Sequence, residues 1–312
     1  MLRYQSLIFF LLPVGLVSQI LITALVILLF GFLPAVAQTQ RASNFKPSNL
    51  PSRLGLSEQK SYLQSLRNQR IDGDYCLKFQ IIHKPRRGSS QYYNGALYGS
   101  FSENKSMIRV LIETTGKLDN KLSAYTEIQA EIIIHGGVSP SAWFRRNQND
   151  SFLLMQSTET FDPLVPNILF RTFDLQMPYV HWQNYMYVGP DRIGRAGGVQ
   201  VFNMYPPPES PAALAGVGFV RIALDNSYSA LRRASIILIG EDVESVLETR
   251  SFAKVQNQWM LREVSLSDPM TKDCTSFKVS SVALGITLDS SIFNPVSKIQ
   301  LPNLESSYFE DL

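Results

Sequence analysis

Along most of the chain apolar and polar side chains alternate. Tyr75, Leu77, Phe79 and Ile81 alternate with Lys78 and Gln80. Ile108, Val110 and Ile112 alternate with Arg109 and Glu113, and Ile128, Ala130, Ile132 and Ile134 with Glu127, Gln129 and Glu131. A period of two puts the apolar set on one face of an extended chain, so these segments predict half-buried strands. Further strands are predicted over 142–146, 152–156, 185–188, 199–205, 218–224, 234–239, 248–255, 259–266 and 275–282. Asn149-Asp150, Gly189-Pro190-Asp191, the glycine-rich 194–198, Gly240-Glu241-Asp242 and Gln256-Asn257 read as the turns between them. Roughly a dozen strands joined mainly by short turns predict one antiparallel sheet.

Three segments break the alternation. Residues 57–70 predict an amphipathic helix with Ser57 as N-cap and Tyr62, Leu63 and Leu66 on one face, stopped by Asp72-Gly73. Residues 161–182, FDPLVPNILFRTFDLQMPYVHW, are too long for a hairpin loop and too apolar for a surface connection. Pro166 is expected to start a short helix that shares Ile168, Leu169 and Phe173 on one face and ends at Asp174. Residues 256–269 carry bulky apolar groups on both sides of one strand: Trp259 and Leu261 on one, Met260, Val264 and Leu266 on the other. Such a strand needs a second layer, of protein or of an apolar ligand.

The N-terminus has a different character. From Ser6 to Ala37 no residue is charged, and the run ends in Ala35-Val36-Ala37 before the polar Gln38-Thr39-Gln40. This predicts a signal peptide over 1–37 with an A-x-A cleavage site, or, because about 20 apolar residues suffice to span a bilayer, an uncleaved anchor. Residues 38–53 read as a linker, 54–300 as one folded domain and 301–312 as a C-terminal tail. A 45% hydrophobic and 18% charged composition excludes a disordered chain. The net charge of +3 and the thinly spread basic residues argue against nucleic acid as a partner.

The segments Tyr75-Cys76-Leu77-Lys78-Phe79 with Pro85-Arg86-Arg87-Gly88, Asp174-Leu175-Gln176-Met177-Pro178-Tyr179-Val180-His181-Trp182 leading to Tyr187-Val188-Gly189, and Tyr228-Ser229-Ala230-Leu231-Arg232-Arg233-Ala234 stand in a telling order. They are followed by Arg250-Ser251-Phe252-Ala253-Lys254-Val255, Gln258-Trp259 and Leu288-Asp289-Ser290-Ser291-Ile292-Phe293-Asn294-Pro295. In that order they resemble the bacterial outer-membrane lipoprotein-sorting family, relatives of the periplasmic lipoprotein carriers LolA and LolB. The resemblance implies a mainly β fold: an unclosed antiparallel β-barrel with an N-terminal helix and a helical lid over its concave face. It implies a periplasmic, monomeric, non-enzymatic carrier of lipoprotein acyl chains or lipid, with envelope membrane proteins as further partners and no cofactor. Leu164, Ile168, Leu169, Phe173, Leu175, Met177, Tyr179 and Trp182 of the lid, with Trp259 and Leu261 or, if the other side of that strand faces the cavity, Met260, Val264 and Leu266, would then contact lipid; the same side chains would equally serve to fill a core. The alternative function is a structural or regulatory envelope module that binds a partner protein by its apolar groove or sheet edge.

Little in the chain points to chemistry. His83, His135 and His181 lie on separate segments with no H-E-x-x-H, so no metal site is expected. Asp162, Asp174 and His181 read as capping and loop residues rather than an acid/base group, and a hydrolase built on Asp174 and His181 is the weakest reading. Neither glycine-rich stretch has a phosphate-binding pattern, and no Ser stands in G-x-S-x-G. Cys76 and Cys274, the only cysteines, form a candidate disulfide in an exported protein, or else remain two buried thiols.

Overall fold

Among the described residues thirteen strands follow one another edge to edge in a single antiparallel path whose two ends do not meet. They are β1 (Asp74–Lys84), β2 (Gln91–Ser102), β3 (Lys105–Lys117), β4 (Ala124–His135), β5 (Ser141–Arg145), β6 (Leu153–Leu154), β7 (Tyr185–Arg192), β8 (Gly198–Met204), β9 (Val217–Asp225), β10 (Leu231–Leu238), β11 (Val243–Val255), β12 (Gln258–Ser267) and β13 (Cys274–Ile286). A fourteenth, β14 (Glu310–Asp311), pairs with β13 off this path. The computed structural model describes residues 50–312 except 72, 103–104, 118–123, 148, 195–196 and 241, so the signal or anchor segment and most of the linker lie outside the described residues.

The order is β6-β5-β4-β3-β2-β1-β13-β12-β11-β10-β9-β8-β7, with β6 and β7 as free edges. Each half is a meander of sequence neighbours, and the two halves join where β1 pairs with β13. The result is the antiparallel sheet that the alternation predicts, in the form of the unclosed half-barrel that the family resemblance implies. The hairpin between β11 and β12 turns on Gln256 and Asn257, both at positive φ (45° and 69°), the backbone that a two-residue turn needs to match strand twist.

The strand β2 was not among the predicted ones. Its inward positions include Gly95 and Gly99, which face Phe79 and Tyr75 across the β1–β2 pair. A Cβ at Gly95 would collide with the Phe79 ring and one at Gly99 with the Tyr75 ring, so the neighbouring strand supplies the aromatic surface that β2 omits. Gly189-Pro190-Asp191, expected to be a turn, lies inside β7, where a register shift between Tyr187 and Gly189 absorbs it.

Among the described residues one helix, α1 (Leu56–Arg67), precedes the sheet. It begins a residue earlier than predicted, with Gly55 rather than Ser57 at the N-cap and the Gly55 amide donating to Glu58 Oε2 at 2.6 Å. Leu63 and Leu66 bury its inner side, as the sequence indicates.

The segment between the two edge strands is less helical than expected. It contains a 3-10 turn (Thr158–Phe161), the short helix α2 (Thr172–Gln176) and a second 3-10 turn (Pro178–Val180). No helix starts at Pro166: Asn167 takes a left-handed φ of 66°, which breaks the helical path, and Asp174 lies inside α2 rather than ending it. The described residues also form α3 (Pro211–Leu214), capped by Ser210, and two further 3-10 turns, Ser290–Phe293 and Ser306–Tyr308.

The sheet is covered on both faces. On the inner face, Phe79, Ile81, Val110, Ile112, Ile132, Phe202, Ile222, Val264 and Val279 form one buried cluster with Leu63 of α1 and with the segment between β6 and β7. On the outer face, Leu288, Ile292 and Phe293 pack on Cys76, Tyr98 and Ala283, with Leu301, Leu304 and Phe309 at the margin. The predicted tail therefore lies against the sheet.

Candidate functional site

The site follows from where the chain crosses between its sheet edges. Because β6 and β7 are the two free edges, residues 155–184 must pass from one to the other, and they do so over the inner face. This cover carries its apolar side chains inward. Leu164, Val165, Ile168, Phe170, Phe173, Tyr179, Val180 and Trp182 are all buried in the same cluster as the strands. Its aromatic residues pack in sequence: Phe161 stacks on Phe173 at 4.5 Å, Phe173 meets Tyr179 at 6.0 Å, and Tyr179 meets Trp182 edge-on at 6.4 Å. Phe170 stands edge-on to Phe277, which itself stacks on Phe79 at 4.5 Å.

Polar ties hold the cover at a few points. Arg171 donates to Glu244 Oε1 at 2.9 Å and Ser245 Oγ at 3.0 Å on β11, and pairs with Asp174 at 3.3 Å. Asp174 also accepts from the Arg171 amide, the N-terminal amide of α2. Burial pushes the Asp174 carboxyl above the usual carboxylate range, and the Arg171 guanidinium opposes that rise. The Leu169 amide donates to Thr275 Oγ1 on β13 at 3.1 Å, and Tyr93 Oη donates to the Pro166 carbonyl. From α1, Arg67 donates to the carbonyls of Val180 and Trp182, each at 2.9 Å.

The residues expected to touch lipid divide into three groups. Leu164, Ile168, Phe173, Tyr179 and Trp182 are buried beneath the cover, while Leu169 and Leu175 are half-buried against the cluster. Met177 is 37% exposed at the left-handed position (φ 43°) that closes α2. Trp259 is corrected: it is 63% exposed, and its strand turns Met260, Val264 and Leu266 inward instead. Both sides of that strand are apolar, so alternation alone left its parity open, while Leu261 packs half-buried against the cluster.

The candidate disulfide is also corrected. Cys76 and Cys274 are free thiols. On the β1–β13 pair Cys76 lies opposite Ala283 and Cys274 opposite Lys84, eight residues further along β1. At about 3.3 Å per residue this separates them by roughly 26 Å, far beyond bonding reach.

Asp174 is committed to Arg171 and to the start of α2, as its capping pattern suggests. Burial and the neighbouring Arg67 lower the His181 pKa, so this ring is neutral near pH 7. Among the described residues no group of three or more His, Cys, Asp or Glu side chains is arranged to hold a metal ion. Arg171 and Thr275, which tie the cover down, were not singled out from the sequence. Arg171 had one legible signal: a lone basic residue in an apolar stretch, three positions before an acid.

Where the cover meets the end of the β1–β2 hairpin, an open cleft of about 500 Å³ lies between His83, Arg87, Asp273 and the cover residues Ile168 and Leu169. Among the described residues no helix is long and apolar enough to cross a membrane.

No protein-family model and no curated protein sequence matches the chain. Solved structures do match in fold. A domain from Vibrio parahaemolyticus described as an outer membrane lipoprotein-sorting protein domain aligns with a TM-score of 0.61 at 13% identity, over 74% of this chain and 94% of its own. A DUF1329 family protein from Desulfovibrio piger aligns with a TM-score of 0.62 at 11% identity, over 76% and 96%. A LolA superfamily protein from Nitrosomonas europaea aligns with a TM-score of 0.51 at 10% identity, over 75% and 96%. At these identities the likeness is one of architecture: the unclosed half-barrel with a covered inner face is a LolA-like fold.

Proposed function

We propose that the chain binds and carries the acyl chains of a lipid or lipoprotein on its inner face in the periplasm, and that residues 155–184 are a cover which the ligand displaces. The observation that carries this reading is the division of labour within the cover. Its underside is a continuous apolar surface matched to the apolar inner face, and its polar ties are few. Lifting such a cover exposes two apolar surfaces that an acyl chain could cover in its place. Each methylene buried is worth about 0.8 kcal/mol, so a chain burying about ten of them would offset roughly 8 kcal/mol of opening cost. A ligand that contacts only the open state shifts the population toward it. On this reading Leu164, Ile168, Leu169, Phe173, Leu175, Met177, Tyr179 and Trp182 exchange contact with the sheet for contact with lipid, and no covalent step occurs.

A second reading has its own observation. The inner face is packed by the chain itself, and the free edges carry exposed apolar residues: Leu153 and Leu154 on β6, Met186 and Val188 on β7. Unpaired edges of this kind suit a partner protein that adds a strand, as an envelope module would use them.

Titration with a fluorescent fatty-acyl probe separates the two. Arg171→Met unties the cover from β11, so a carrier should bind the probe more tightly in this variant than in the wild type, because less free energy goes into opening. Loss of stability with no probe binding by either protein would refute carriage and leave the partner-binding module.

A further inference from the structure

The cleft at the hairpin end contains a hydrogen-bond chain with one free end. Thr275 is fully buried, and its Oγ1 accepts from the Leu169 amide at 3.1 Å. A buried hydroxyl proton needs an acceptor of its own. Among the described residues the one that Thr275 has is His83 Nδ1, at 2.9 Å. Leu169 N–H therefore donates to Thr275, Thr275 O–H donates to His83 Nδ1, and the imidazole carries its proton on Nε2. His83 is 5% exposed and lines the cleft, and Nε2 has no protein partner among the described residues. A nearly buried N–H donor thus faces the cleft without an acceptor.

The rest of the lining narrows what the acceptor is. Arg87 and Asp273 bring opposite charges to the cleft, and the Asp273 carboxylate accepts from the Arg86 amide at 2.7 Å, so the lining favours neither a net anion nor a net cation. Ile168 and Leu169 of the cover make its apolar side. A neutral oxygen acceptor with an apolar chain attached satisfies all of these groups together.

We infer that this cleft is a binding site for the ester carbonyl of an acyl lipid, with His83 Nε2–H donating to the carbonyl oxygen and the acyl chain leading past Ile168 and Leu169 beneath the cover. The inference rests on the carriage reading above and adds to it a polar recognition point at the cover's margin. The same chain of bonds connects ligand to cover, because Thr275 holds both the His83 tautomer and the Leu169 amide.

The test compares a monoacylglycerol with the monoalkyl glycerol ether of equal chain length, two compounds that differ only in the carbonyl. The wild-type protein should bind the ester roughly fivefold to tenfold more tightly, as one additional hydrogen bond allows. His83→Leu should abolish that preference while still binding both compounds, and His83→Gln, which keeps an N–H donor, should restore part of it. Nitrogen NMR of the wild-type imidazoles gives a readout that needs no variant: His83 should carry its proton on Nε2, and that proton should shift with the ester but not with the ether. Equal affinities in the wild type, an unchanged preference in His83→Leu, or a proton on Nδ1 would each overturn the ester site while leaving acyl-chain carriage standing. Failure of the wild type to bind either compound would overturn both.

Discussion

Two segments without long regular structure cover the two faces of one sheet, and they are fastened by opposite means. The inner cover, residues 155–184, lies on apolar strand surface and places its buried charges at Arg171 and Asp174 near β11. The outer cover, residues 287–312, lies across a patch whose centre is ionic. Arg109, 1% exposed on β3, pairs with Glu131 on β4, and Arg145 on β5 pairs with the other oxygen of that carboxylate at 2.6 Å. Arg109 also donates to the Ile292 carbonyl at 2.8 Å, and His135 Nε2 bonds the Phe293 carbonyl at 2.9 Å. An apolar contact can be exchanged for another apolar surface at little cost, whereas a buried guanidinium stripped of its acceptors cannot. Arg171 is part of the inner cover and would leave with it into water, whereas Arg109 belongs to the sheet and would stay behind without the Ile292 carbonyl, so on the carriage reading the inner cover is the one to move.

The largest effect that would test this contrast is expected on the outer face. Glu131→Ala leaves the Arg109 guanidinium buried without its counter-charge, and should cost about 3–5 kcal/mol, read as a fall in the urea midpoint. A loss under about 1 kcal/mol would mean that the network is not what fixes the outer cover.

Arg171→Met should cost less, about 2–3 kcal/mol at neutral pH, because Asp174 can take up a proton once its partner is gone. The pH dependence follows from the raised folded-state pKa of Asp174, which burial sets against the opposition of Arg171. Stability from its protonation is fully present below the ordinary carboxylate value, where both states are protonated, and is lost as pH rises through the folded value. Removing Arg171 raises that folded value further, so the variant's deficit should be small near pH 4 and grow toward pH 7. Parallel unfolding curves at the two pH values check this; a deficit independent of pH would rule out Asp174 as its source.

The smallest effect concerns thiol access. Burial pushes the Cys76 thiol up to about 12 beneath the outer cover, whereas Cys274 is half-buried. Labelling of the native protein should modify Cys274 and leave Cys76 for the unfolded state, and Glu131→Ala should speed the reaction at Cys76 specifically. An intramolecular disulfide in the purified protein would contradict the separation along β1.

Most of the sheet was legible because strand periodicity is a local property. Tyr75 through Ile81 and Ile128 through Ile134 announce their faces within a few residues. Strand β2 was hidden because its inward glycines are completed by Phe79 and Tyr75 of another strand, a relation that no single window contains. The cover's apolar character was evident, but its path was not: the left-handed backbone at Asn167 and Met177 decides where helix forms. Arg109 and Glu131 looked like solvent-facing strand residues. They are buried because residues near 292 and 299 arrive from the far end of the chain. The cleft escaped notice for the same reason, since His83, Leu169 and Thr275 are brought together only by the fold.

The junction of β1 with β13 also decides when the molecule can be finished. Every other main-path pair joins strands adjacent in sequence, but the junction matches Asp74 with Ile286 and Lys84 with Cys274, about two hundred positions apart. Each meander can form from contacts close in sequence, whereas uniting them must wait for a strand made late in synthesis. Until it arrives, β1 and β12 both present unpaired backbone to whatever is nearby, as sticky as any sheet edge. A chain stopped before residue 274 would hold two half-sheets with nothing to sew them together, and its accumulation as aggregate rather than as a smaller folded protein is the kinetic signature of this topology.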